Sequence, residues 1–155
     1  MESRRITLAG ITRHPTEAWM TQMARNAVDD TSGALAGCRY VLHDRDAKVC
    51  VAFKDVLASE GIRRLRLPAR SPNRNAFAER WVRSVKDECL SRLILFGGHS
   101  LQRALVEFIA HYHSERNHQG KGNVLLFPSP TPATLSRIRC RERLGGLLRY
   151  YCRAA

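Results

Sequence analysis

An α/β or α+β domain, with helices packed on one small mixed sheet, is the fold class this sequence predicts. Three observations carry it. Short β-branched or apolar runs alternate with amphipathic stretches in the order strand, helix, strand, helix, strand, followed by helices. The 155 residues suffice for one compact core, and 44% hydrophobic content is ordinary for a globular chain. No stretch approaches the roughly 20 apolar residues of a membrane-spanning helix, and no internal repeat or low-complexity segment is visible.

Each element has its own signal. Arg5 to Thr12, "RITLAGIT", is β-branched and partly alternating, so it reads as a strand. His14-Pro15-Thr16 interrupts, and from Glu17 to about Asp29 the residues Trp19, Met20, Met23, Ala24, Ala27 and Val28 recur at helical spacing, with Thr16 as N-cap. Cys38 to His43, "CRYVLH", reads as a buried strand ending at Asp44. Phe53 to Ser59 reads as a short helix stopped by Gly61, and Ile62 to Leu67 as another strand. After the loop "LPARSPNRNA", Ala78, Val82, Val85 and Cys89 predict the buried stripe of a long helix from about Asn75 to Ile94, closed by Gly97-Gly98. Ser100 N-caps a further helix to Tyr112. Pro128, Pro130 and Pro132 exclude a continuous helix in the connector that follows. Thr134 to Ala155 carries six arginines against one acid, Glu142, and reads as a basic tail compatible with a helix.

The charge narrows the partners. Twenty-six basic side chains against 14 acidic ones leave +12, which favours nucleic acid over a membrane surface, since no basic amphipathic segment dominates. Five cysteines, an odd number without CxxC spacing, disfavour a disulfide framework and a zinc finger. His111, His113 and His118 lack both an HExxH pattern and cysteine partners, which disfavours zinc again. No signal segment opens the chain, so a cytoplasmic location is the default expectation.

Two carboxylates stand out by placement: Asp44, where a strand runs out in "HDRDAKV", and Glu79, one turn into the long helix. Oxygen ligands of this kind suit magnesium or manganese, and paired ions of that type support phosphodiester chemistry. The plain alternative is that Asp44 caps the next element and Glu79 pairs with Arg83 across one turn. At about 100° per residue, however, Asn75, Glu79, Arg83 and Lys86 fall within roughly 80° of one another. One acid and two bases therefore share a face suited to holding a phosphate backbone beside a metal-binding carboxylate. Asp46, two residues past Asp44, is expected to meet solvent, and Trp81 and Cys89 to pack in the core.

The motifs "HDRDAKV", "SPNRNAFAERWVRSVKDECL" and "FIAHYHSERNHQGKGN" together resemble the catalytic core of insertion-sequence transposases and retroviral integrases, the DDE recombinases. The 35 positions from Asp44 to Glu79 are close to the interval between that family's second and third acids. Asp44 matches the strand-end aspartate, although Arg45 and Asp46 follow where the family usually has Asn-Gly. Glu79 matches the glutamate of the "NAxxE" helix start. The resemblance covers about Ser3 to Thr131. It implies an RNase H-like fold, a small mixed sheet flanked by helices, with residues 1–131 as a partial integrase core and 132–155 as a basic C-terminal tail. It also implies Asp44 and Glu79 as catalytic metal ligands, Mg2+ or Mn2+ as cofactor, and joining of transposon ends to target DNA. Asn75, Arg83, Lys86, Arg116 and His118 are the implied DNA contacts, with the core as the other place for Arg116 and His118.

In that family the first acid lies on a first strand immediately before the position of "SRRITLAG". Glu2 stands about two positions too close to match it, since metal geometry tolerates little error in ligand placement. The chain is therefore expected to lack the first strand, and by itself to be inactive. The alternative is a non-catalytic DNA-binding remnant able to join the oligomer of a full-length transposase. Homo-oligomerisation is compatible with either reading.

Overall fold

A computed structural model describes residues 4–43, 49–68, 76–128 and 137–153. Among the described residues the architecture is mixed α/β, with four α-helices and two small sheets, and the chain divides into two compact units: Ala9–Ala76, and Met1–Leu8 with Phe77–Ala155.

In the first unit, helix α1 (Glu17–Val28) begins where its cap predicts, the Thr16 hydroxyl accepting the Trp19 N–H at 3.2 Å. Helix α2 (Val51–Ser59) starts two residues earlier than expected, because Cys50 caps it, Sγ accepting the Phe53 N–H at 3.4 Å. Gly61, at φ 68°, stops it. Helices α1 and α2 pack together, with Ala24 and Leu57 fully buried. Strands β1 (Tyr40–His43) and β2 (Arg63–Arg66) flank α2 in sequence and pair in parallel, Leu42 opposite Leu65. The strand expected to be buried is half-exposed instead: among the described residues the sheet has two strands, leaving Tyr40 54% and Leu65 49% exposed.

The strand expected over Arg5–Thr12 does not form. A strand needs a neighbouring ladder, and these residues find other partners. The Ile6 N–H donates to His113 Nε2 at 2.9 Å, Arg4 lies over the Phe77 ring and Arg5 over Phe127, each 4.5 Å from the centroid. Gly10 fits closely under α1, where an added Cβ would stand 2.7 Å from Met23 Sδ and 2.9 Å from the Trp19 ring.

In the second unit, α3 (Ala76–Glu88) and α4 (Gly97–Ser114) share a core of Val85, Cys89, Ala104, Phe108 and Tyr112. The predicted stripe on α3 holds at Val85 and Cys89, both buried, but Ala78 and Val82 are exposed and Ser84 is buried in addition. Trp81 decides this rotation. Its ring lies 5.5 Å from Phe108 and 4.9 Å edge-on from Tyr112, and burying so large a side chain outweighs burying an alanine and a valine. Helix α3 ends at Glu88 rather than near Ile94. Ser91 Oγ and Arg92 Nε both donate to the Asp87 carbonyl, and a 3-10 turn, Leu90–Arg92, follows. Gly97, at φ 74°, begins α4 rather than closing α3, three residues before the expected Ser100 cap.

The C-terminal stretch is not helical. Strands β3 (Ile138–Arg143) and β4 (Leu148–Arg153) form an antiparallel hairpin, turned at Gly145-Gly146, both at positive φ. Leu148 anchors the hairpin in the core with Phe108 and its neighbours.

Candidate nucleic-acid and metal-binding face

The exposed side of α3 follows from its buried side. With Trp81, Ser84, Val85 and Cys89 turned inward, Glu79, Arg83 and Lys86 are left on the solvent face, all three exposed. Glu79 sits in the first turn, where the unsatisfied amides of the helix start favour a negative charge. The pair that would give Glu79 an ordinary explanation, an ion pair with Arg83, is not formed. Among the described residues its carboxylate has neither a hydrogen bond nor a salt bridge. A carboxylate oxygen held in this way fits a hard divalent cation. Asn75, one residue before α3, and Asp44, next after the last residue of β1, lie outside the described residues, as does Asp46. Among the described residues no cluster of three His, Cys, Asp or Glu side chains is found.

Arg116 and His118 are placed differently from Arg83 and Lys86. Arg116 grips Glu88 with two hydrogen bonds, Nε to Oε2 at 2.9 Å and Nη2 to Oε1 at 2.6 Å, and lies over the Tyr112 ring. That pairing raises its pKa, against the opposing effect of burial. His118 is only 4% exposed, with Nε2 2.9 Å from the Tyr112 carbonyl and its ring edge-on to Tyr112. Burial lowers its pKa, opposed by the bond to that carbonyl and aided by the charges of Arg116, Arg4 and Lys121. A neutral ring that donates Nε2–H to the carbonyl satisfies these conditions. Arg116 thereby ties the turn after α4 to α3, and His118 ties that turn back to α4.

Sequence reasoning missed one strongly engaged acid. The Glu115 side chain, 1% exposed, accepts hydrogen bonds from Arg143 at 2.8 and 2.9 Å and from Arg141 at 3.2 Å, and meets His111 Nδ1 at 3.2 Å. Burial by itself would raise this carboxyl, but the bonds from Arg143 and His111, the Arg143 charge and the Arg141 bond outweigh it and hold the pKa at about 2. Arg143 also reaches Glu107 at 2.7 Å, so the cluster ties β3 to α4. The signal available was the i, i+4 spacing of His111 and Glu115.

A mixed α/β chain of net charge +12, with Glu79, Arg83 and Lys86 exposed together on α3, defines a class: proteins whose basic charge suits nucleic acid. Within it, residues 60–124 match the family model described as an integrase core domain. This stretch, which runs from before β2 through α3 and α4 to Val124, is integrase-like. It includes Glu79, Arg83, Lys86, Arg116 and His118, and it leaves Asp44 outside. No curated protein and no solved structure matches the chain. Among the described residues, no helix is long and apolar enough to cross a membrane.

Proposed function

We propose that this chain supplies part of the catalytic core of a DDE transposase, with an RNase H-like fold, and serves DNA integration by transposition. One observation carries the reading. Glu79 is an exposed carboxylate in the first turn of α3, unpaired among the described residues, beside exposed Arg83 and Lys86, within the segment that matches the integrase core family.

In this reading Glu79 and Asp44 are the carboxylates that hold Mg2+ or Mn2+, and bound metal supplies positive charge for phosphodiester cleavage and strand transfer. Arg83 and Lys86 hold backbone phosphates of transposon-end or target DNA, and Asn75, which lies outside the described residues, is assigned to the same contact. Their contacts position the duplex without reading its sequence. Arg116 holds the turn after α4 against α3 through Glu88, and His118 holds it against Tyr112. Magnesium-dependent nicking and strand transfer on end-mimicking DNA test this reading, in the 155-residue chain and in one extended upstream. The extended chain is expected to be active, and to lose activity with Asp44→Asn or Glu79→Gln. An extended chain whose activity survives both substitutions overturns the assignment.

A further inference from the structure

Beside the Glu79 face, between α3 and the 3-10 turn after α4 (Gln119–Lys121), lies a cavity of about 320 Å³. Three guanidinium groups line it, those of Arg4, Arg80 and Arg116, while Glu88 is the acid bound to one of them. Arg116 uses Nε and Nη2 on Glu88, which leaves Nη1 to donate elsewhere. Arg80 has no hydrogen bond or ion pair among the described residues, and its Nη1 lies against Gly120, where an added Cβ would stand 3.2 Å away. Ser84 also lines the cavity. It is 8% exposed, and its hydroxyl has no hydrogen-bond partner among the described residues, a cost the fold bears unless something in the cavity satisfies it. Gln119 and His118, whose Nε2 is taken by the Tyr112 carbonyl, complete the polar lining.

Excess positive charge, a buried unpartnered hydroxyl and an amide converging on one small cavity match the needs of a tetrahedral anion. We propose that this cavity is a phosphate subsite, with Arg80 and Ser84 as its principal donors. The proposal adds residues outside the Glu79, Arg83 and Lys86 face and does not depend on metal chemistry. Its phosphate comes either from a nucleic-acid backbone or from a free phosphate or phosphomonoester.

The test is an NMR titration of the 155-residue protein with inorganic phosphate and, separately, with a short DNA duplex, following the amides of Ser84, Gln119 and Gly120. These amides are expected to shift, with affinity falling about tenfold or more in Arg80→Ala, the usual effect of losing a charge-assisted hydrogen bond. A smaller loss is expected in Ser84→Ala. Gly120→Ala, which presses on the Arg80 guanidinium, should also weaken binding while leaving the fold intact. Shifts with duplex only assign the cavity to backbone phosphate, and shifts with inorganic phosphate only assign it to a free anion. Silence of these amides with both ligands, or unchanged affinity in Arg80→Ala, overturns the proposal. Failure of strand transfer in the extended chain while these amides still shift removes the transposase reading and leaves the subsite standing.

Discussion

Glu115→Gln removes the charge on which β3 is fastened to α4. The Glu115 carboxyl titrates at about 2 in the folded protein against an ordinary 4.5. At roughly 1.4 kcal/mol per pKa unit, that depression corresponds to about 3 kcal/mol of stability. A folded-state pKa below the unfolded one contributes stability that is present above pH 4.5 and is lost as pH falls toward 2. The side chain is 1% exposed and meets Arg141 and Arg143, so removing its charge leaves cations partly uncompensated, a loss of similar order. The assay is urea unfolding at pH 7 and at pH 2.5, followed by the Trp81 indole resonance, which reports the unit that contains the cluster. At pH 7 the variant is expected to be about 3 kcal/mol less stable. At pH 2.5 most of that gap should have closed. A gap below about 1 kcal/mol at pH 7, the range of an exposed pair, or a gap equally large at both pH values, refutes the reasoning.

Three further outcomes follow from other parts of the molecule. Arg83→Ala with Lys86→Ala should leave the fold unchanged, since both side chains are exposed, and lower DNA affinity while reducing the salt dependence of binding by about one unit of slope per residue. Trp81→Ala removes the ring held between Phe108 and Tyr112 and should cost about 3 to 5 kcal/mol, read by urea unfolding. His113 accepts the Ile6 N–H through Nε2, and its pKa is lowered by burial and by the charges of Arg5 and His118. Protonation removes that acceptor, so the Ile6 amide should be protected from exchange at neutral pH and lose protection as pH falls below 6.5.

Local signals were legible where one residue decides the outcome. Thr16 fixed the start of α1 because its hydroxyl is the acceptor the helix amides need, and Gly61 ended α2 because a residue without Cβ adopts positive φ freely. The side of α3 that faces solvent was also visible in the spacing of Glu79, Arg83 and Lys86. The buried stripe is as the spacing predicts at Val85 and Cys89 but not in the first turns, because periodicity weighs Ala78 and Val82 like any apolar residue whereas packing is decided by the size of Trp81. The C-terminal hairpin was hidden by its arginines. Arg137, Arg139, Arg141 and Arg143 alternate with period two ahead of Gly145-Gly146, the pattern of a strand and a tight turn, yet six arginines against one acid are also the composition of a basic tail. Arg5–Thr12 shows the opposite limit. Its β-branched composition is strand-like, but a strand exists only where another strand offers a ladder, and a single segment does not reveal that.

Glu79 as a divalent-metal ligand is the central claim, and paramagnetic broading by Mn2+ tests it most directly. Titrating Mn2+ into the protein should broaden the backbone resonances of the first turn of α3, around Ala78, Glu79 and Arg80, and Glu79→Gln should abolish that effect while leaving the helix folded. Broadening of equal strength in the variant, or none in the wild-type protein, contradicts the claim.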